Sequence, residues 1–218
     1  MHSGTFQLPV FFDLGATFAF ALTGALAAIK RGYDIVGVFF LALVSSIGGG
    51  LIRDGVFIQG TGATPLLTDA RYIELILAAT IVGALFGGHV KKFHRLIAVI
   101  DALGLGAYAA FGTQKALVSG LAVPAAILVG VINAAGGGLL RDIITRQEPL
   151  VFKPGQFYVL TALAGAVVFV FLTVQLDLEA TLAALITIVA TFVFRVLTIV
   201  FNWRTTPVGN PADSDVTP

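Results

Sequence analysis

The chain has 218 residues, of which 57% are hydrophobic and only 11% charged, and its net charge is +1. Soluble domains carry charge on about a quarter of their residues, so this composition excludes an ordinary soluble protein. It also leaves no basic tract for nucleic acid. With no cysteine, a disulfide frame, a thiolate metal site and thiol chemistry are excluded as well.

A helix needs about 20 apolar residues to cross the hydrocarbon core of a bilayer. In chain order the sequence predicts seven such segments, roughly Pro9–Ile29, Asp34–Ile58, Tyr72–Val90, Leu96–Lys115, Leu121–Ile144, Phe157–Leu176 and Ala180–Phe201. The runs are apolar all round and too long for the ten-residue alternation of a membrane barrel. The fold class expected is therefore an all-α membrane protein with one transmembrane domain over residues 1–204. The first run has an A-x-A-like site at Ala25–Ala27, but no Lys or Arg precedes it and Asp13 interrupts it. It reads as a retained span rather than a cleaved signal. Residues 205–218 are polar and proline-bearing, which predicts a disordered cytoplasmic tail.

Basic residues in the connecting segments set the expected orientation. Lys30, Arg31, Lys91, Lys92, Arg95, Arg146, Lys153 and Arg204 fall on one side, against Arg71 and Lys115 on the other. The side rich in Lys and Arg faces the cytoplasm, so the N-terminus is expected outside and the C-terminus inside.

Two stretches, "SSIGGGLIRD" at Ser45–Asp54 and "NAAGGGLLRD" at Asn133–Asp142, are related by a shift of 88 residues. The same shift carries Asp13 onto Asp101, Gly24 onto Gly112 and Gly32 onto Gly120. One offset aligning so many Gly and Asp positions implies an internal duplication. Repeat one spans about residues 9–90, repeat two about 96–176, and the helix at about 180–201 stands outside both. Each repeat holds three spans. Three is odd, so the second copy must enter the membrane from the opposite face. An inverted repeat of this kind puts a pathway near the interface of the two halves, marked by interrupted helices at matching positions.

The glycine triplets, Gly48, Gly49 and Gly50 in span two and Gly136, Gly137 and Gly138 in span five, are the matching positions. They are expected to loosen those spans beside a polar path. The alternative is close helix packing through small residues. Ser45, Ser46 and Asn133, with the glycine carbonyls, are candidates for replacing the water shell of an ion.

Charges in lipid are expensive unless paired. The repeat predicts two clusters, Asp13 with Arg53 and Asp101 with Arg141, each with the neighbouring Asp54 or Asp142. They serve as structural locks, as pore constrictions, or as both. Lys115 has Ala27 as its mate at the same shift. It either snorkels to the headgroups or stands as a gating cation at the outer mouth. Arg195 is expected to snorkel on the cytoplasmic side, and Glu74 to be a solvated helix end. The loop holding Lys91, Lys92 and Arg95 is a topology signal that could also hold anionic lipid headgroups. His89 and His94 are poorly spaced for one helical face, so no metal site is expected. No HExxH, G-x-S-x-G or Walker lysine is present, so neither an enzyme nor a cofactor is expected.

"DLGATFAFALTGALAA" at Asp13–Ala28 followed by GGGLIRD, and "DALGLGAYAAFGTQKAL" at Asp101–Leu117 followed by GGGLLRD, resemble the prokaryotic branch of the trimeric intracellular cation channels. The resemblance runs over about residues 8–203. It implies a homotrimer in a prokaryotic plasma membrane, with one hourglass-shaped pore inside each subunit. It further implies passage of monovalent cations, chiefly potassium and otherwise sodium, and kinks at both glycine triplets with helices one, two, four and five around the pore. The Lys-Glu-Val sequence tied to lipid binding and gating in animal members is replaced by "TQKALV", so that control is not implied. Two other functions remain open: a secondary transporter of a small solute such as an amino acid, and a non-conducting membrane scaffold.

Overall fold

The structure is a computed structural model that describes residues 8–58, 68–86, 94–153 and 157–203. Among these residues there are seven helices and no strand: α1 (Phe11–Lys30), α2 (Ile35–Ile52), α3 (Ala70–Phe86), α4 (His94–Val118), α5 (Val123–Ile144), α6 (Tyr158–Val170) and α7 (Ala180–Val200). A π-helical turn extends α2 over Arg53–Phe57, and another extends α6 over Phe171–Gln175. Six of the resulting segments are long and apolar enough to cross a membrane. The exception is α3, with 17 described residues; the rest of its predicted span, residues 87–90, lies outside the described residues.

Local signals explain where the helices begin. Asp34 caps α2 by accepting a hydrogen bond from Gly37 N at 2.8 Å, which satisfies one of the unpaired donors of the first turn. Asp69, just ahead of α3, accepts from Arg71 N at 3.0 Å and from its guanidinium; that pairing holds the Asp69 carboxyl below the usual carboxylate range. Pro124 lies in the first turn of α5, where its missing N–H costs nothing.

The same turn follows α1 and α4. Gly32 has φ +75° and Gly120 has φ +84°, a left-handed conformation that glycine adopts without strain. Around them Tyr33 N donates to Ala28 O at 3.2 Å and Leu121 N to Ala116 O at 3.1 Å. These are the six-to-one bonds of a Schellman cap. Every residue of the first cap maps onto the second by the 88-residue shift.

At the centre α1 packs on α2, α3 and α4, while α4 packs on α5, α6 and α7, and α2 crosses α5. The core is built largely of alanine, with Phe20, Leu105, Tyr108 and Tyr158 as its bulky members. Phe20 and Tyr108, mates at the same shift, stack with ring centroids 5.2 Å apart.

At the crossing of α2 and α5 helical structure continues through both glycine triplets, and the triplets let two backbones touch. A methyl group at Gly49 would collide with the backbone carbonyl of Asn133, and one at Gly137 with the carbonyl of Ser45. Likewise a methyl at Gly48 would meet Leu140, and one at Gly136 would meet Ile52. The contacts are reciprocal: each residue on one side has its 88-residue mate on the other. The departure from α geometry comes later, in the π turn beginning at Arg53.

Candidate functional site

Polar groups converge at two places, one on either side of this crossing. The first is built on the π turn after α2. Arg53 is only 2% exposed. Its Nε donates to Asp54 Oδ1 at 2.6 Å and its Nη2 to Asp54 Oδ2 at 2.8 Å. This forked pair stands on the π turn that begins at Arg53. Nη1 of Arg53 donates to Asn133 Oδ1 at 3.2 Å, tying the cluster to α5, and the guanidinium lies over the Phe111 ring at 5.4 Å. Lys115, on α4, donates to Asp54 Oδ2 at 2.9 Å. Asp13, on α1, accepts a hydrogen bond from the Tyr72 hydroxyl on α3.

A belt of neutral polar groups continues inward from this cluster. The Thr17 and Tyr108 hydroxyls are hydrogen-bonded at 2.9 Å, Tyr108 donates to Ser46 O at 2.6 Å, and Asn133 Nδ2 donates to Tyr108 O at 2.8 Å. Asp13, Thr17, Ser46, Gly50, Arg53 and Tyr108 border one cavity of about 30 Å³, room for only a water or two. Ser45 is buried beside Gly24 and does not border it.

The second cluster stands on the last turns of α5. Arg141 Nε donates to Asp142 Oδ1 at 3.0 Å, and Nη1 donates to Asp101 Oδ1 and Thr23 Oγ1, both at 3.1 Å. Asp142 Oδ2 also accepts from Leu150 N at 3.2 Å. This cluster opens into a vestibule of about 570 Å³. Lys30, Glu148, Lys153 and Arg195 share its lining.

Set against the sequence, Asp101 and Arg141 pair directly as expected. Asp13 and Arg53 share a cavity but not a bond: Arg53 is turned away by its own neighbour Asp54, and Tyr72 takes the carboxylate of Asp13. The Lys115 side chain is 24% exposed and bridged to Asp54. Arg195 is 5% exposed and lies over the Tyr158 ring at 5.3 Å, so it does not reach out of the bundle. Glu74 is exposed as expected. Lys91, Lys92 and His89 lie outside the described residues, and of Arg95 only its place in the first turn of α4 is described. Among the described residues no group of His, Asp and Glu side chains gathers to hold a metal.

The sequence reading missed the hydroxyl partners Thr17, Thr23, Tyr72 and Tyr108, and the Tyr158 ring that covers Arg195. A signal existed. The chain has four tyrosines, and three of them sit inside apolar spans at or beside a buried charge.

An all-helical bundle with paired charges sealed inside its apolar spans defines a multi-pass membrane protein. Within that class the comparisons are specific. A family model described as Glycine transporter matches residues 10–88 and 98–174. The chain is 34% identical over 157 residues to a UPF0126 membrane protein of Deinococcus radiodurans, covering 71% of each. It is 30% identical over 166 residues to the UPF0126 inner membrane protein YadS of Escherichia coli, covering 74% of this chain and 77% of that one. The trimeric intracellular cation channel (TRIC) orthologue from Rhodobacter sphaeroides superposes with a TM-score of 0.81 at 30% identity, covering 88% of this chain and 97% of that one. A structure reported for conductance through TRIC cation channels gives 0.80 at 28% identity, covering 94% and 98%. The chain belongs to the UPF0126 family, the prokaryotic branch of the TRIC channels.

Proposed function

We propose that this protein is a passive channel for monovalent cations, potassium foremost, working as a homotrimer in the plasma membrane with a route inside each subunit between α1, α2, α4 and α5. The observation that carries this reading is the pair of cavities on either side of the α2–α5 crossing, each ending in an Arg-Asp cluster. In the first cluster Arg53 and Lys115 balance Asp13 and Asp54. In the second, Arg141 meets two carboxylates, which leaves a site attractive to cations. The glycine carbonyls, Ser46 and Asn133 stand at the crossing between them, where an ion would shed water. The small cavity marks the shut end, closed by the Lys115–Asp54 bridge.

The inverted repeat belongs to the same proposal. Reciprocal contacts, residue i to j and the mate of j to the mate of i, are the mark of a two-fold relation. The crossing and the shared caps support one between the halves. Three spans per half would lay that axis in the membrane plane. Lys30 and Lys153 at the rim of the larger vestibule then favour a cytoplasmic mouth there, with the N-terminus outside.

A second reading, a transporter of glycine or a similar amino acid, is favoured by the description of the matching family model. Recording from the purified chain in a planar bilayer separates the two. Discrete current steps under a potassium gradient with no co-solute support the channel. Saturable glycine uptake by proteoliposomes without unitary currents replaces it with the transporter. Silence in both assays leaves the scaffold. Reversal potentials with potassium opposite sodium test the preferred ion.

A further inference from the structure

The two related clusters differ at one point. Asp101 carries a cation, since Arg141 Nη1 donates to its Oδ1 at 3.1 Å. Its 88-residue mate, Asp13, is equally buried at 5% exposure, yet no described residue forms a salt bridge to it. The bond it accepts from Tyr72 comes from a neutral hydroxyl. The cations of its own cluster are aimed elsewhere, Arg53 at Asp54 and Asn133, and Lys115 at Asp54. An ionised carboxylate buried without a paired charge is costly. Beside Asp13 lies the cavity of about 30 Å³.

Counting protons shows what that cavity offers. Tyr108 donates its hydroxyl proton to Ser46 O at 2.6 Å. In the 2.9 Å bond between Tyr108 and Thr17 the proton is therefore that of Thr17. The Tyr72 proton goes to Asp13. A hydroxyl has one proton, so all three are spent, and Thr17, Tyr72 and Tyr108 present only lone pairs to the cavity they border. With the Asp13 carboxylate and the Ser46 carbonyl they form a set of hard oxygen acceptors around one unbalanced negative charge, which fits a cation. One carboxylate balances one positive charge. Divalent ions take a larger oxygen shell richer in carboxylates, and their second charge would be left over beside Arg53.

A cavity of this volume holds a water or two, so an ion enters it almost bare. Its oxygens are already drawn together by hydrogen bonds of 2.6 and 2.9 Å, which favours the smaller of the two common monovalent cations. We propose that the cavity between α1, α2 and α4 is a binding site for one nearly dehydrated sodium ion, held by the Asp13 carboxylate, the Thr17 and Tyr108 hydroxyl oxygens and the Ser46 carbonyl. Sodium gives Asp13 the charge that Arg141 gives Asp101. An ion that binds firmly leaves slowly, so sodium at this end holds back potassium. That consequence rests on the channel reading; the binding itself does not.

A ligand that binds only the folded state raises its melting temperature as it saturates the site. The full-length protein in detergent is heated in sodium, potassium or calcium chloride exchanged against N-methyl-D-glucamine chloride at constant ionic strength, and loss of the monodisperse peak is followed. The expected result is a saturable rise with sodium, at a lower concentration than with potassium, and its loss in Asp13→Asn. Thr17→Val removes one oxygen at nearly the same shape and should raise the half-saturating sodium concentration about tenfold, and Thr17→Ser should restore it. The Thr17 pair decides the matter if Asp13→Asn is not recovered as a particle of native size. The proposal is overturned if sodium gives no saturable rise, if potassium or calcium saturates at an equal or lower concentration, or if Asp13→Asn or Thr17→Val responds like the wild type. Because no ion flow is measured, saturable sodium binding in a protein that carries no current leaves the site standing while the channel reading falls, and currents without a sodium response do the reverse.

Discussion

Replacing Gly49 with alanine tests whether the glycine triplets serve contact or flexibility. The added methyl would overlap the backbone carbonyl of Asn133. A backbone atom cannot rotate aside, so α2 and α5 must separate. Overpacking of this kind costs about 3 kcal/mol at the upper end of its usual range, and alanine returns about 1 kcal/mol of helix propensity. The net loss expected is about 2 kcal/mol. One residue on, a methyl at Gly50 would find its nearest neighbour, Arg53 Nη2, at 3.7 Å, an ordinary contact. Gly50→Ala should therefore be neutral or gain up to about 1 kcal/mol. Gly15→Ala, in open space on α1, should gain similarly. The assay is the temperature at which detergent-solubilised protein loses its monodisperse peak. Gly49→Ala should fall and the other two should hold or rise. Gly137→Ala should match Gly49→Ala, and the double variant should cost less than the sum, because both open the same crossing. If Gly49→Ala and Gly50→Ala shift stability equally, the triplet is a hinge and the contact argument fails.

Three further outcomes follow from the charge clusters. Lys115→Gln removes the bridge to Asp54 while Arg53 keeps its forked pair, so potassium flux into proteoliposomes should rise at least about twofold, in line with roughly 0.5–1 kcal/mol for a partly exposed pair; unchanged flux would count against Lys115 as the closing contact. Arg141→Leu strands Asp101 and Asp142 and should cost about 3–5 kcal/mol, seen as failed recovery of folded protein, whereas Asp101→Asn leaves Arg141 its bond to Asp142 and should cost clearly less. Tyr72→Phe takes the donor from the buried Asp13 carboxylate and should cost about 1–3 kcal/mol; a melting temperature equal to wild type would show that another group satisfies Asp13.

The helices were legible because each needs only length and apolarity, and their ends because Asp34, Gly32 and Gly120 carry local chemistry that reads directly from the residues. The Asp101–Arg141 pair was legible too, since the repeat placed both at one end of adjacent spans. The Asp13–Arg53 pair was not, because Asp54 takes the Arg53 guanidinium and Tyr72 takes the Asp13 carboxylate, and no periodicity announces either. The glycine triplets were legible as matching positions but not as contacts: loosening and close packing use the same residue, and only the position of a facing carbonyl separates them. The tyrosines were overlooked because an aromatic in an apolar run reads as lipid-facing or core, although Tyr72 and Tyr158 open the third helix of each repeat.

Lys115 has alanine at its mated position, Ala27, and Arg195 comes from a helix outside both repeats. Under the proposed two-fold relation, a simpler progenitor lacking these two cations would present like mouths to the two compartments and could insert either way up. The polarity of the present molecule then rests on a few side chains laid over an indifferent scaffold. Moving the lysine from one arm of the duplication to the other, Lys115→Ala with Ala27→Lys, should carry the closing contact to the opposite mouth without redesigning the bundle.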